Sequence, residues 1–374
     1  MTGPADEVVP TPLADRWAVL SAGAFWGYRN APGFVRATAK SVRSGALRTR
    51  CRAIRSAAEV YERALAESMP EAAGGFSSAV AGRLDRPARL GIVTSHRLHQ
   101  EYAVQTGLRY GPDAAQLLDI WRRRDLPITA RAPVVLFLPG GGWIYGRRRY
   151  QAHHMLAHLA ECGWVCVAAD YRVAPRHPWP THIQDVNRVI AWVRTCIAGY
   201  GGDPGFIAAT GTSAGGHLAA LAGLTANDPE FRPDPGVDTS VDAVVSIYGR
   251  YDWEDRVGSE REMFMAFLER SVVQRLQSVA PETFRAASPI ARVRPDAPPF
   301  MVIHGDADTV IPVEQARAFV AALRAVSQAP VVYAELPNAQ HGFDMINNGR
   351  TAANADAIER FLRAAHQRHQ QGRR

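Results

Sequence analysis

Lysine is nearly missing from this chain: Lys40 is the only one among 43 basic residues. Arginine carries the remaining positive charge, and no recognition motif accompanies it, so nucleic-acid binding is not expected. Cysteine is sparse as well. Cys51, Cys162, Cys166 and Cys196 show neither metal-ligand spacing nor a dense disulfide pattern, so they read as buried thiols of a reducing compartment and no metal is expected. The most suspicious apolar stretch, Trp17 to Tyr28, has 12 uncharged residues, well short of the roughly 20 apolar residues a membrane-spanning helix needs. The opening MTGPADEVVPTP has no basic n-region followed by an apolar h-region, so no secretory signal is read and the cytoplasm is the expected compartment. With 47% hydrophobic and 21% charged residues, the composition fits neither disorder nor a fibrous repeat.

The net charge of +7 is local. Residues 36 to 55 hold Arg36, Lys40, Arg43, Arg48, Arg50, Arg52 and Arg55 with no Asp or Glu, and setting these aside leaves as many basic as acidic residues. A solvated helix face is the commoner explanation of such a run. The alternative is peripheral contact of residues 36–55 with an anionic membrane.

From about residue 13 to 85 the pattern is helical and rich in Ala and Arg, broken at Asn30 to Gly33, Pro70 and Gly74-Gly75. From about 102 short apolar strands alternate with amphipathic helices, which is the texture of an α/β sheet. Strands are expected at Val104–Arg109, Leu117–Trp121, Val134–Leu138, Trp164–Ala169, Phe206–Thr210, Ala243–Tyr248, Phe300–His304 and Val331–Leu336. Helices are expected at Ile183–Ile197, Ala214–Ala226 and Glu314–Ala325. Right-handed crossovers then give a mainly parallel, eight-stranded, doubly wound sheet with helices on both faces and its loops at the C-terminal edge. The expected organisation is a helical N-terminal extension over 1–101 and a catalytic domain over 102–374.

Three segments carry chemistry. Gly211-Thr-Ser213-Ala-Gly215 lies between an expected strand and an apolar helix, the setting of a nucleophile elbow, where a sharp turn exposes the serine hydroxyl at the positive end of a helix. Pro139-Gly-Gly-Gly142-Trp143 follows another strand. Three glycines there are costly in entropy unless backbone N–H groups must approach a reacting group closely, and the amides of Gly141, Gly142 and Ala214 can converge on one oxyanion. His341 follows the last strand, and Asp306 and Asp308 follow the strand before it; Asp308 has the greater reach, while Asp306 can cap the turn. Serine, acid and base in that order match the α/β-hydrolase arrangement.

These motifs, with Asp170-Tyr-Arg-Val-Ala-Pro175 and His177-Pro178, resemble the hormone-sensitive-lipase-like group of carboxylesterases within the α/β-hydrolase superfamily, over roughly residues 102 to 365. The resemblance implies Ser213, Asp308 and His341 as a triad, Gly141, Gly142 and Ala214 as oxyanion donors, an acyl-enzyme route on short- to medium-chain acyl esters, and no cofactor. One position departs from the group, which usually carries His before the three glycines where Pro139 stands here; the fixed φ of Pro offers another way to stiffen that loop. The alternatives are a catalytically lapsed hydrolase-fold binding protein or, among enzymes, an arylformamidase, feruloyl esterase or amidase. Asp170 to Pro175 and Asp185 read as shaping the loop beside the elbow. Arg147 to Arg149 read as a solvated helix start, or else as a lure for an acidic substrate. The aromatics Trp17, Phe25, Trp26, Tyr28 and Phe34 need cover, and a cap over the acyl pocket is the first expectation for the extension. The stretch Asp252 to Val293, with Met263, Phe264, Met265 and Phe267, is expected to complete the lid.

Overall fold

The computed structural model describes residues 47–75, 91–149, 151–232, 236–257, 259–345 and 349–373. Its elements run α1 (Leu47–Ser68), a 3-10 turn (Pro70–Ala72), α2 (Gly91–Tyr102), β1 (Ala103–Arg109), β2 (Leu117–Trp121), β3 (Ala132–Leu138), α3 (His153–Glu161), β4 (Val165–Ala169) and α4 (Thr181–Cys196). They continue through β5 (Gly202–Thr212), α5 (Ala214–Leu224), β6 (Ala243–Ile247), α6 (Ser259–Phe267), a π-helical stretch (Leu268–Val273), α7 (Pro281–Ala286), β7 (Phe300–Gly305), α8 (Val313–Val326), β8 (Val331–Leu336) and α9 (Gly349–Gly372).

All eight expected strands form and join one sheet in the order β1-β2-β4-β3-β5-β6-β7-β8. β2 runs antiparallel to both its neighbours, and β4, β3, β5, β6, β7 and β8 are parallel. Strands buried on both faces need apolar side chains on both, which is why β3 reads as an unbroken apolar run rather than an alternation. Val134, Leu136 and Leu138 enter one core with α4, α5 and α8; Val135 and Phe137 enter the other with α1, α3 and α9. α5 starts at the elbow and every one of its residues is buried, as its lack of a polar face requires.

α1 buries Ala57, Tyr61, Ala64 and Leu65 at helical spacing. It packs against β8 and α9, and the Tyr61 hydroxyl donates to Asn354 Oδ1 at 2.7 Å. α2 runs directly into β1. This part of the extension therefore lies on a face of the sheet. The aromatic segment that prompted the cap expectation, and basic residues 36–46, lie outside the described residues, as do the side chains of Arg48, Arg50, Arg52 and Arg55. Among the described residues no helix is long and apolar enough to cross a membrane.

Candidate active site

The elbow forms where β5 turns into α5. Ser213 sits there at φ 54° and ψ −118°, a conformation that costs a non-glycine residue on the order of 1–3 kcal/mol unless its surroundings impose it. They do: the Ser213 N–H donates to Ile247 O at 2.9 Å and the Ser213 carbonyl accepts the His217 N–H at 3.0 Å. Gly215 is required for a separate reason, since a Cβ there would collide with the carbonyl oxygen of Leu138 at the end of β3.

His341 lies beyond β8 and Asp308 beyond β7, so parallel neighbours deliver both to the edge where Ser213 emerges. His341 Nε2 is 2.9 Å from Ser213 Oγ, and His341 Nδ1 is 2.7 Å from Asp308 Oδ2. An ionised carboxylate can only accept, so the proton sits on Nδ1 and leaves Nε2 to accept from the serine hydroxyl. Asp308 is almost fully buried. Burial alone would raise its pKa, but His341 and a hydrogen bond from His304 outweigh that and hold the carboxyl well below the usual carboxylate range. Oδ1 also accepts the N–H groups of Val310 and Ile311 at 2.8 and 2.9 Å. Asp306 does not touch His341. It is exposed, and its Oδ1 accepts the Asn338 N–H at 2.6 Å, so it ties down the loop after β8 instead of capping its own turn at Gly305.

His304 was not singled out by its sequence context. It is fully buried, four residues before Asp308, with Nε2 2.9 Å from Ile311 O and 3.3 Å from the same Asp308 oxygen that faces His341. Its one sequence signal is that (i, i+4) spacing. Tyr248 was missed as well. Its ring lies 4.6 Å from that of His341 and its hydroxyl donates to Asp344.

Opposite the serine, the glycine loop curls back on itself, with the Ile144 and Tyr145 N–H groups both donating to Gly141 O. Gly141 has φ 137° and Gly142 φ 61°, values that favour glycine. Among the described residues, the N–H groups of Gly141, Gly142 and Ala214 have no acceptor. Trp143 anchors the loop. Its carbonyl accepts Ala174 N at 2.9 Å and His182 Nε2 at 3.0 Å, and its indole N–H donates to His217 Nδ1 at 3.3 Å. Both histidines are buried without a carboxylate partner. Burial lowers their pKa to about 4 for His182 and about 3 for His217, which keeps both neutral.

The arginine run after the loop departs from both readings at its middle residue. Arg147 and Arg149 are exposed, but Arg148 is buried between two carboxylates. Its Nε is 2.9 Å from Asp119 Oδ1, its guanidinium pairs with Asp170, and its backbone N–H donates to Asp170 Oδ1 at 2.6 Å. Periodicity cannot reveal such a burial, because the two carboxylates come from β2 and the end of β4. Asp185 accepts three nitrogens of Arg172 and the amide of Gln116, in keeping with its expected structural part.

Residues 118–323 match the BD-FAE family model. Esterase LipC of Mycobacterium tuberculosis is 52% identical over 344 residues, 91% of this chain and 84% of that one. The probable carboxylic ester hydrolase LipM of the same organism is 48% identical over 293 residues, 76% and 68% of the two chains. Among solved structures, a thermophilic esterase of Thermogutta terrifontis, Est2, is 28% identical with a TM-score of 0.57, covering 68% of this chain and 88% of that one; Est2 has also been solved phosphonylated by sarin and with butyrate bound. This chain belongs to the BD-FAE family and is a carboxylic ester hydrolase of the α/β-hydrolase fold.

Proposed function

We propose that Ser213 is the nucleophile of this ester hydrolase, with His341 as base and Asp308 as the group that orients it, acting through an acyl-enzyme on short- to medium-chain acyl esters. The observation that carries the reading is the unbroken hydrogen-bond chain from Ser213 Oγ through the His341 ring to Asp308. As Oγ attacks the ester carbonyl, Nε2 takes its proton, and the ionised Asp308 stabilises the imidazolium. The tetrahedral oxyanion accepts from the N–H groups of Gly141, Gly142 and Ala214, each worth on the order of 3 kcal/mol of barrier. His341 then gives its proton to the departing alcohol. Water, activated by the same imidazole, attacks the acyl group and regenerates the serine.

The acyl-length part rests on the aromatic cover beside the glycine loop. The Phe267 ring lies 3.7 Å from where a Gly142 Cβ would stand, and Phe264 packs between Phe267 and Trp143. The Thermogutta esterase solved with butyrate bound supports a short acyl chain. Hydrolysis of p-nitrophenyl esters of graded acyl length, beside a Ser213→Ala control, tests both parts. Ser213-dependent turnover that peaks between acetate and octanoate is expected. No Ser213-dependent release from any ester overturns the assignment, and a preference for long chains alone overturns the length.

A cytoplasmic location and contact of residues 36–55 with anionic lipid belong to the proposal too, the second on the charge run alone. Equal flotation with anionic vesicles of the full chain and of one lacking residues 1–60 would remove the lipid contact.

A further inference from the structure

The place usually held by His before the three glycines is Pro139 here, which has no side-chain donor, yet the loop is held. The side chain of Gln151, half-buried in the turn two residues before α3, pairs with both backbone groups of Gly140: Oε1 accepts the Gly140 N–H at 2.9 Å and Nε2 donates to Gly140 O at 3.2 Å. The same Oε1 lies 3.4 Å from the hydroxyl of Thr212, the residue before the serine. The Tyr171 hydroxyl donates to Pro139 O at 2.9 Å.

A peptide unit is planar and trans, so its N–H points opposite to its C=O. The Gly140 carbonyl shares one plane with the Gly141 N–H. A donor fixed on that carbonyl therefore aims the Gly141 N–H the other way. In an all-glycine loop no side-chain packing can set this direction. We propose that Gln151 is the positioning residue of the oxyanion loop, aiming the Gly141 N–H by hydrogen-bonding the opposite end of its peptide plane and tying the loop to the elbow at Thr212. The inference rests on the reading of Gly141 as an oxyanion donor.

Two variants test it. Gln151→Met keeps the volume and loses both hydrogen bonds. Gln151→Glu keeps an acceptor for the Gly140 N–H and sets a carboxylate against the Gly140 carbonyl, so a role confined to holding the Gly140 N–H would be rescued by Glu and the role inferred here would not. In both, kcat is expected to fall about 10- to 100-fold, as misplacement of a reacting group does, with KM within about twofold and an unchanged thermal midpoint. Affinity for a trifluoromethyl ketone, whose adduct carries the oxyanion, should fall by the same factor as kcat/KM, while affinity for the product alcohol holds. Either variant, folded, with wild-type kcat and ketone affinity overturns the inference. Failure of both to fold overturns it too, since Gln151 would then serve the fold instead of the loop. If the wild type itself shows no Ser213-dependent turnover, it is the parent reading that has failed.

Discussion

Replacing Arg148 with Met would strip the positive charge from between two buried carboxylates. Arg148 is 4% exposed, Asp119 2% and Asp170 8%. At 2.9 Å from Asp119, the ion pair alone has a Coulomb energy of about 6 kcal/mol at an effective dielectric of about 20. Breaking a buried pair from one side typically costs about 3–5 kcal/mol. The variant has one escape, which is to protonate a carboxylate; from an ordinary Asp value this costs about 4 kcal/mol at pH 7 and about 1.5 kcal/mol at pH 5. The expected loss of unfolding free energy is therefore about 4 kcal/mol at pH 7, shrinking by more than half at pH 5. The sign follows from linkage. Burial already pushes the Asp170 pKa up, against the pull of Arg148, and removing Arg148 raises it further. The folded variant then binds more protons than its unfolded chain, so relative to wild type its stability grows as the pH falls. Urea unfolding of both proteins at the two pH values measures the difference. A deficit below about 1 kcal/mol at pH 7, or one that widens in acid, would refute the reasoning; adding Asp170→Asn to the variant should recover part of the loss.

Two further outcomes are expected. Gly141→Ala puts a methyl onto the Tyr145 carbonyl oxygen at φ 137° and should cut esterase activity more than about 100-fold by displacing the loop. Gly142→Ala makes only ordinary contacts, with Phe267 at 3.7 Å and Ile144 at 4.0 Å, and should cost about 1–2 kcal/mol of left-handed strain and far less activity than Gly141→Ala; kcat and thermal melts of the pair check this, and the reverse ranking would sink it. Burial holds His182 and His217 neutral, with pKa values lowered to about 4 and about 3. The unfolded chain gains their protons first, so stability should be full above about pH 6.5 and fall below it by up to about 1.4 kcal/mol per pH unit for each. Denaturant titrations at pH 7.5, 6 and 5 read the slope, and a flat profile rejects it.

Much of this molecule was legible in its residues because its signals are local. A strand buried on both faces must be continuously apolar, so β3 and β4 declared themselves. An elbow needs small residues around its serine, so Gly211 and Gly215 marked Ser213. His341 and Asp308 could be named because parallel strands end at one edge, whatever their separation along the chain. Which of Asp306 and Asp308 lies against His341 needed coordinates, since both lie near that edge and only the course of the turn separates them.

What the sequence alone determined is what repeats along the chain or sits at a strand end: the sheet, the placement of Ser213, Asp308 and His341 at one edge of it, and the glycine loop. Tertiary structure decided which polar residues are buried and what they face. Arg148 between Asp119 and Asp170, His304 behind Asp308, and Gln151 on Gly140 all join segments remote in sequence or turned inward by a loop. The desolvation that gives such contacts their weight is a property of the packed interior and leaves no period in the chain.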